Sequence, residues 1–134
     1  MITATKTRIL LADDHPALLA ETANLLGRDH EVVASVSNGL ELLDAAGRLD
    51  PDVIVLDVSM PGLDGFEAAR RLQQAGCRSK LVFLTVWEDA DFAREAMALG
   101  AAAYVVKSRL ASDLPTAISE TLAEHPFISP SITL

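Results

Sequence analysis

Short apolar runs, each closed by a polar residue, recur along the chain. Ile9-Leu10-Leu11-Ala12 runs into Asp13-Asp14, Val53-Ile54-Val55-Leu56 into Asp57, Leu81-Val82-Phe83-Leu84 into Thr85, and Tyr104-Val105-Val106 into Lys107. Runs this short between turn signals read as strands buried on both faces. A further stretch, residues 31–37, alternates less cleanly but is Val-rich and reads as the second strand in chain order. Helical patterns lie between them. The first opens at Asp14-His15-Pro16, where Pro suits a first turn, reaches about Leu26 and stops at Gly27. The second follows the Asn38-Gly39 turn across residues 40–48, with Leu42, Leu43, Ala45, Ala46 and Leu49 as apolar surface. The third covers about residues 64–75. Asp64 is its expected N-cap, with Glu67 as capping-box partner and Phe66, Ala69 and Leu72 on one stripe; Gly76 ends it. The fourth follows Glu88-Asp89, carries Phe92, Ala93, Ala96 and Met97, and ends at Gly100. The last is expected to be capped by Ser112 and to reach about Glu124, with Leu114, Ile118 and Leu122 at helical spacing and Pro126 closing it.

Strict β–α alternation predicts an α/β fold: a five-stranded parallel sheet, doubly wound, with right-handed crossovers and helices on both faces. Ligands of such sheets bind outside the carboxyl ends of the strands, where strand order switches. The polar strand-end residues gather at that edge.

The length of 134 residues fits one domain with a real core. Hydrophobic residues make up 50% and aromatics only 4%, so the core is expected to be Ala, Leu and Val. A net charge of −8 and a pI near 4.7 argue against holding nucleic acid or an anionic membrane unaided. Cys77 is the single cysteine; it excludes an internal disulfide and reads as a loop thiol between Gly76 and Arg78. With no signal-peptide pattern and no bilayer-length apolar run, a cytoplasmic setting is expected. Residues 1–6 read as a short polar leader. Residues 1–125 read as one domain, and residues 126–134, with their Ser-Pro and Pro-Ser steps, as the start of a linker toward an output domain.

Carboxylates brought within a few ångströms repel: two charges 4 Å apart at an effective dielectric near 20 cost about 4 kcal/mol. A cation relieves this, and an all-oxygen set suits Mg²⁺. Asp13, Asp14 and Asp57 therefore predict a Mg²⁺ site, completed by the main-chain oxygen of Ser59. Lys107 adds a second cation and Thr85 a hydroxyl. Metal, ammonium and hydroxyl around one carboxylate suit phosphoryl transfer, whose transition state spreads negative charge over three oxygens. Asp57 is the expected nucleophile, forming an acyl phosphate.

Taken together, Asp13-Asp14, Asp57 with Met60-Pro61-Gly62 and Asp64-Gly65, Thr85, and Tyr104-Val105-Val106-Lys107 resemble the response-regulator receiver domain of two-component systems. The match covers about residues 7–125. Asp13-Asp14-His15-Pro16, Val32-Val33-Ala34 with Asn38-Gly39, Leu84-Thr85-Val86, Leu99-Gly100-Ala101 and Ile128-Ser129-Pro130 resemble the subfamily with a LuxR-type helix-turn-helix output.

The resemblance implies a flavodoxin-like (βα)5 sheet in the order 2-1-3-4-5. It implies that Asp57 takes phosphate from a phosphohistidine of a sensor histidine kinase in a Mg²⁺-dependent step. It implies that Thr85 and Tyr104 move inward on phosphorylation and remodel the face of the fourth helix, fifth strand and fifth helix. That face, or another, can serve a homodimer; DNA is reached only through the output domain, and no membrane is involved. Such a domain is a signalling module that promotes only its own phosphorylation and dephosphorylation.

Two residues depart from the family pattern: Ser108 follows Lys107 where many receivers have proline, and the large Trp87 stands at the site rim, where Met60 is also expected. His15 reads as a solvated side chain; His30 and His125 carry no signal. Other readings are a stand-alone receiver acting by protein contacts and a flavin-binding module of the same topology. Asp13-Asp14 would repel the flavin's phosphate unless a metal intervened. An aspartyl phosphohydrolase would place its nucleophile after the first strand, with a second Asp two residues on; here the acids are adjacent.

Overall fold

The computed structural model describes residues 6–134; the rest of the expected leader, residues 1–5, lies outside the described residues. In chain order the elements are β1 (Arg8–Ala12), α1 (Pro16–Leu26), β2 (Glu31–Val36), α2 (Gly39–Leu49), β3 (Val53–Leu56), α3 (Gly65–Gln74), β4 (Lys80–Thr85), α4 (Ala90–Ala98), β5 (Ala103–Val106), a 3₁₀ turn (Lys107–Arg109), α5 (Leu110–Leu122) and β6 (Phe127–Ile128). The sheet runs β2-β1-β3-β4-β5-β6, and every pairing is parallel.

Alternation along the central strands divides the core in two. Leu10, Ala12, Ile54 and Leu56 face α2, α3 and α4, packing with Leu42, Phe66, Leu72 and Ala93. Ile9, Leu11, Val53 and Val55 face α1 and α5, packing with Leu26, Leu114 and Ile118. All four residues of β3 are buried. Each such side chain stabilises the fold by about 1.5–3 kcal/mol. A one-residue slip would put every one of them on the wrong face. This packing fixes where the strand delivers Asp57.

Helix starts follow local chemistry. Asn38 Oδ1 accepts from the Glu41 N–H at 2.9 Å, Asp64 Oδ1 from the Glu67 N–H at 2.9 Å, and Asp89 Oδ1 from the Asp91 and Phe92 N–H groups at 2.8 and 3.1 Å. The Glu67 carboxylate does not reach back to complete the expected capping box; it pairs with Arg70 and Arg71.

Three expectations change at the C-terminal end. Ser112 does not cap α5. The 3₁₀ turn carries the chain straight from β5 into the helix, which starts at Leu110, and the Ser112 hydroxyl donates to the Arg109 carbonyl and to Asp113 from inside the helix. Along α5 the apolar row passes from Ile118 to the fully buried Thr121, leaving Leu122 46% exposed. The tail is not simply a departing linker: Phe127 and Ile128 pair with Ala103 and Tyr104 as a sixth strand. That strand covers what would otherwise be the open edge of β5.

Candidate functional site

The carboxyl ends of β1, β3, β4 and β5 lie side by side: β1, β3 and β5 hand their next residues, Asp13, Asp57 and Lys107, to the same edge, and β4 ends in Thr85 itself. Asp13 and Asp57 are buried at 6% and 3% exposure. Lys107, whose side chain is 7% exposed, donates to both: Nζ lies 2.7 Å from Asp13 Oδ2 and 2.8 Å from Asp57 Oδ2. Burial pushes the Lys107 ammonium down, but hydrogen bonds to Asp13 and Asp57 and their charges outweigh it and raise its pKa. Lys107 therefore stays charged at every pH below the ordinary lysine range.

Asp14 is exposed beside this pair. His15, a largely solvated side chain, still brings Nδ1 to 3.5 Å from Asp13 Oδ1 and 3.4 Å from Asp14 Oδ1. One potential ligand atom from each of Asp13, Asp14, His15 and Asp57 lies within 4.8 Å of the others. A single ammonium against three carboxylates leaves two negative charges uncompensated, a deficit a divalent cation matches. The donors are mainly carboxylate oxygens, the set a hard cation prefers. The residues present thus fit the expected metal.

The Asp57 loop is shaped by a close approach. The Gly65 N–H, at the start of α3, donates to the Val58 carbonyl at 2.7 Å. A Cβ at Gly65 would overlap the Asp57 carbonyl oxygen and come within 2.9 Å of its carbon and 3.0 Å of the Val58 Cα. These are backbone atoms and cannot swing aside. Gly65→Ala is therefore expected to destabilise the chain by about 1–3 kcal/mol, the usual range for overpacking, and to displace Asp57. Urea denaturation measures the first effect; an unchanged midpoint would show that the loop yields freely.

A cleft of about 590 Å³ opens over the site, lined by Asp14, Asp57, Ser59, Met60, Trp87 and Lys107 among others. Ser59 lies in the loop after Asp57, with its N–H 3.4 Å from Asp57 Oδ1. Met60 is buried beneath the rim at 8% exposure. Trp87 reaches across the cleft: its indole N–H donates to Ser59 Oγ at 3.2 Å, and its ring packs edge-on against Phe92 with centroids 5.8 Å apart.

The same residue joins the two expected switch positions. Thr85, fully buried and absent from the cleft lining, accepts the Trp87 backbone N–H at 3.4 Å. Tyr104 donates its hydroxyl to the Trp87 carbonyl at 2.7 Å. Tyr104 is fully buried, so it already occupies the inward position that the resemblance assigns to the phosphorylated state. Burial, with the charges of Asp89 and Asp57, pushes its phenol well above the usual tyrosine range, so it remains a donor.

Ser108, at the family's usual proline position, donates to Glu88 at 2.9 Å and ties the loops after β5 and β4 together. Cys77 lies far from the carboxylates, beside Ser79 and a separate cleft between α2 and α3. Sequence reasoning missed a buried group behind Lys107. Asp113, 5% exposed, accepts from Arg109 at 2.8 Å and from Ser112 at 3.2 Å. Burial raises its carboxyl pKa, but these hydrogen bonds and the Arg109 charge outweigh it and hold the group below the usual carboxylate range. Ser129 is fully buried as well.

Residues 9–119 match the family model described as the response regulator receiver domain. The chain is 34% identical over 127 residues to the response regulator GacA of Pseudomonas aeruginosa, covering 93% of this chain and 59% of that protein. It is 33% identical to the nitrate/nitrite response regulator protein NarL of Escherichia coli, with the same coverage of each. Among solved structures it resembles a two-component response regulator of the LuxR family from Aurantimonas sp. SI85-9A1: TM-score 0.90, 32% identity, 96% of this chain and 93% of that one. The chain thus spans about 59% of the length of the two curated relatives.

Proposed function

This chain belongs to the response regulator receiver domain family, and on that premise we propose that Asp57 is its phosphoacceptor, taking a phosphoryl group from a phosphohistidine of a sensor histidine kinase. The observation that carries the assignment is the ammonium of Lys107 bridging Asp13 and Asp57 at the floor of an over-acidic cleft. In the transfer an Asp57 carboxylate oxygen forms the new P–O bond while the P–N bond to the donor imidazole breaks. The imidazole nitrogen keeps that electron pair and takes up a proton. Asp13, Asp14 and Asp57, with the main-chain oxygen of Ser59, would hold Mg²⁺, which would neutralise charge on the phosphoryl oxygens. Lys107 neutralises a further oxygen, and the Thr85 hydroxyl donates to another once it turns from Trp87.

The receiver comprises residues 1–125 and the docked strand Phe127–Ile128, and the tail that follows leads toward an output domain that binds DNA. Phosphorylation biases that output, or a homodimer built on α4, β5 and α5 or another face, by shifting an existing equilibrium. No helix among the described residues is long and apolar enough to cross a membrane. Similarity to LuxR-family regulators favours this reading over a stand-alone receiver. Incubation with a small phosphodonor and Mg²⁺ should add one hydroxylamine-labile phosphoryl group per chain. Labelling that ignores EDTA would contradict the metal-assisted step.

A further inference from the structure

β5 would be the edge of a five-stranded receiver sheet, yet Tyr104 at its centre is fully buried. The cover comes from the tail. Ile128 stands opposite Tyr104 in the parallel register and packs into the same face of the core. Neighbouring strands lie about 4.8 Å apart, so the Ile128 side chain closes the outer flank of the tyrosine. Ile132, further along, packs against that core as well.

Ser129 then fastens the tail. Its N–H donates to the Tyr104 carbonyl at 2.9 Å, and its hydroxyl oxygen accepts the Val106 N–H at 3.1 Å. Ser129 therefore grips β5 on both sides of Val105, in the residues that lead directly into Lys107. A fully buried serine whose backbone N–H and hydroxyl both hold the neighbouring strand is a built contact, and the direction of the Lys107 side chain depends on the backbone it clamps.

From this we propose that Ser129 is a positioning residue for the phosphoacceptor site: the docked tail holds Lys107 on Asp57 and Tyr104 inward, so tail docking and a phosphoryl group at Asp57 favour each other. The inference rests on the phosphoacceptor reading and adds the tail as its coupled partner. The coupling is reciprocal: whatever factor docking adds to phosphoryl affinity, the phosphoryl group adds to docking.

The experiment uses the full 134-residue chain with beryllofluoride and Mg²⁺, a stable mimic of the phosphoryl group. Ser129→Ala is expected to weaken beryllofluoride binding about five- to tenfold, the lower range of measured couplings, without weakening Mg²⁺ affinity. The metal ligands lie on β1 and β3 and their loops, away from the clamp, whereas general damage would weaken both. In the unsubstituted chain, beryllofluoride should slow hydrogen exchange at the Val106 and Ser129 amides, the two N–H groups that report docking. Wild-type beryllofluoride affinity in a folded Ser129→Ala chain overturns the proposal, as does a parallel loss of Mg²⁺ affinity. Unaltered or faster exchange at those amides overturns it too, and that measurement decides alone if the variant does not fold. Absence of beryllofluoride binding by the full chain would instead overturn the phosphoacceptor reading beneath it.

Discussion

Asp57→Asn should carry no acyl phosphate under conditions that label the unsubstituted chain. An amide oxygen is a poor nucleophile, and the product would lack the carboxylate that makes the phosphoryl bond reversible. The substitution is nearly isosteric at a site only 3% exposed, so the cleft should keep its shape. It also removes one negative charge from a cluster in which a single ammonium faces three carboxylates. The variant should therefore fold at least as stably as the parent in the absence of metal, and loss of labelling cannot be ascribed to unfolding. Intact-mass measurement after incubation with a small phosphodonor and Mg²⁺ reads the result. Equal labelling of the Asn variant would move the acceptor to another carboxylate, Asp13 or Asp14 being the nearest.

The residues that meet at this edge were legible because each ends an apolar run. Ile9 to Ala12, Val53 to Leu56 and the others identify strands on their own, and parallel pairing in the strand order that the resemblance implies then brings the ends at Asp13, Asp57, Thr85 and Lys107 together. What stayed hidden depends on contacts distant in sequence. Phe127-Ile128 is too short to show a period and sits between Pro126 and Ser129-Pro130, which read as turns; only the open edge of β5 makes it a strand. The depth of Tyr104 follows from that strand and so was hidden with it. Ser112 has the chemistry of an N-cap, but the 3₁₀ turn starting at Lys107 had already begun the helix. Leu122 and Thr121 exchange roles because α5 presents position 121, one turn from Ile118, to the core. The bridge from Trp87 to Ser59 joins residues 28 apart in sequence and leaves no local signature.

Lys107→Met should cost the chain about 3–5 kcal/mol when no divalent cation is present, the usual result of removing one partner from a buried ion pair. The Nζ lies within 2.8 Å of carboxylate oxygens on both β1 and β3 sides of the site, and its side chain is 7% exposed, so water cannot take its place freely. Methionine fills a similar volume, which confines the loss to the charge. The pKa of Lys107 is raised in the folded state, so its contribution is complete below the unfolded lysine value of about 10.4 and fades only as pH rises through the higher folded value. The deficit should accordingly be the same throughout the neutral range. Mg²⁺ adds a second lever. Ammonium and metal relieve the same repulsion, so the ion should raise the melting temperature more in Lys107→Met than in the parent. Denaturation with and without Mg²⁺ compares the two increments. Equal increments would mean that Lys107 and the metal do not share carboxylates, and the ligand set of Asp13, Asp14 and Asp57 would have to be redrawn.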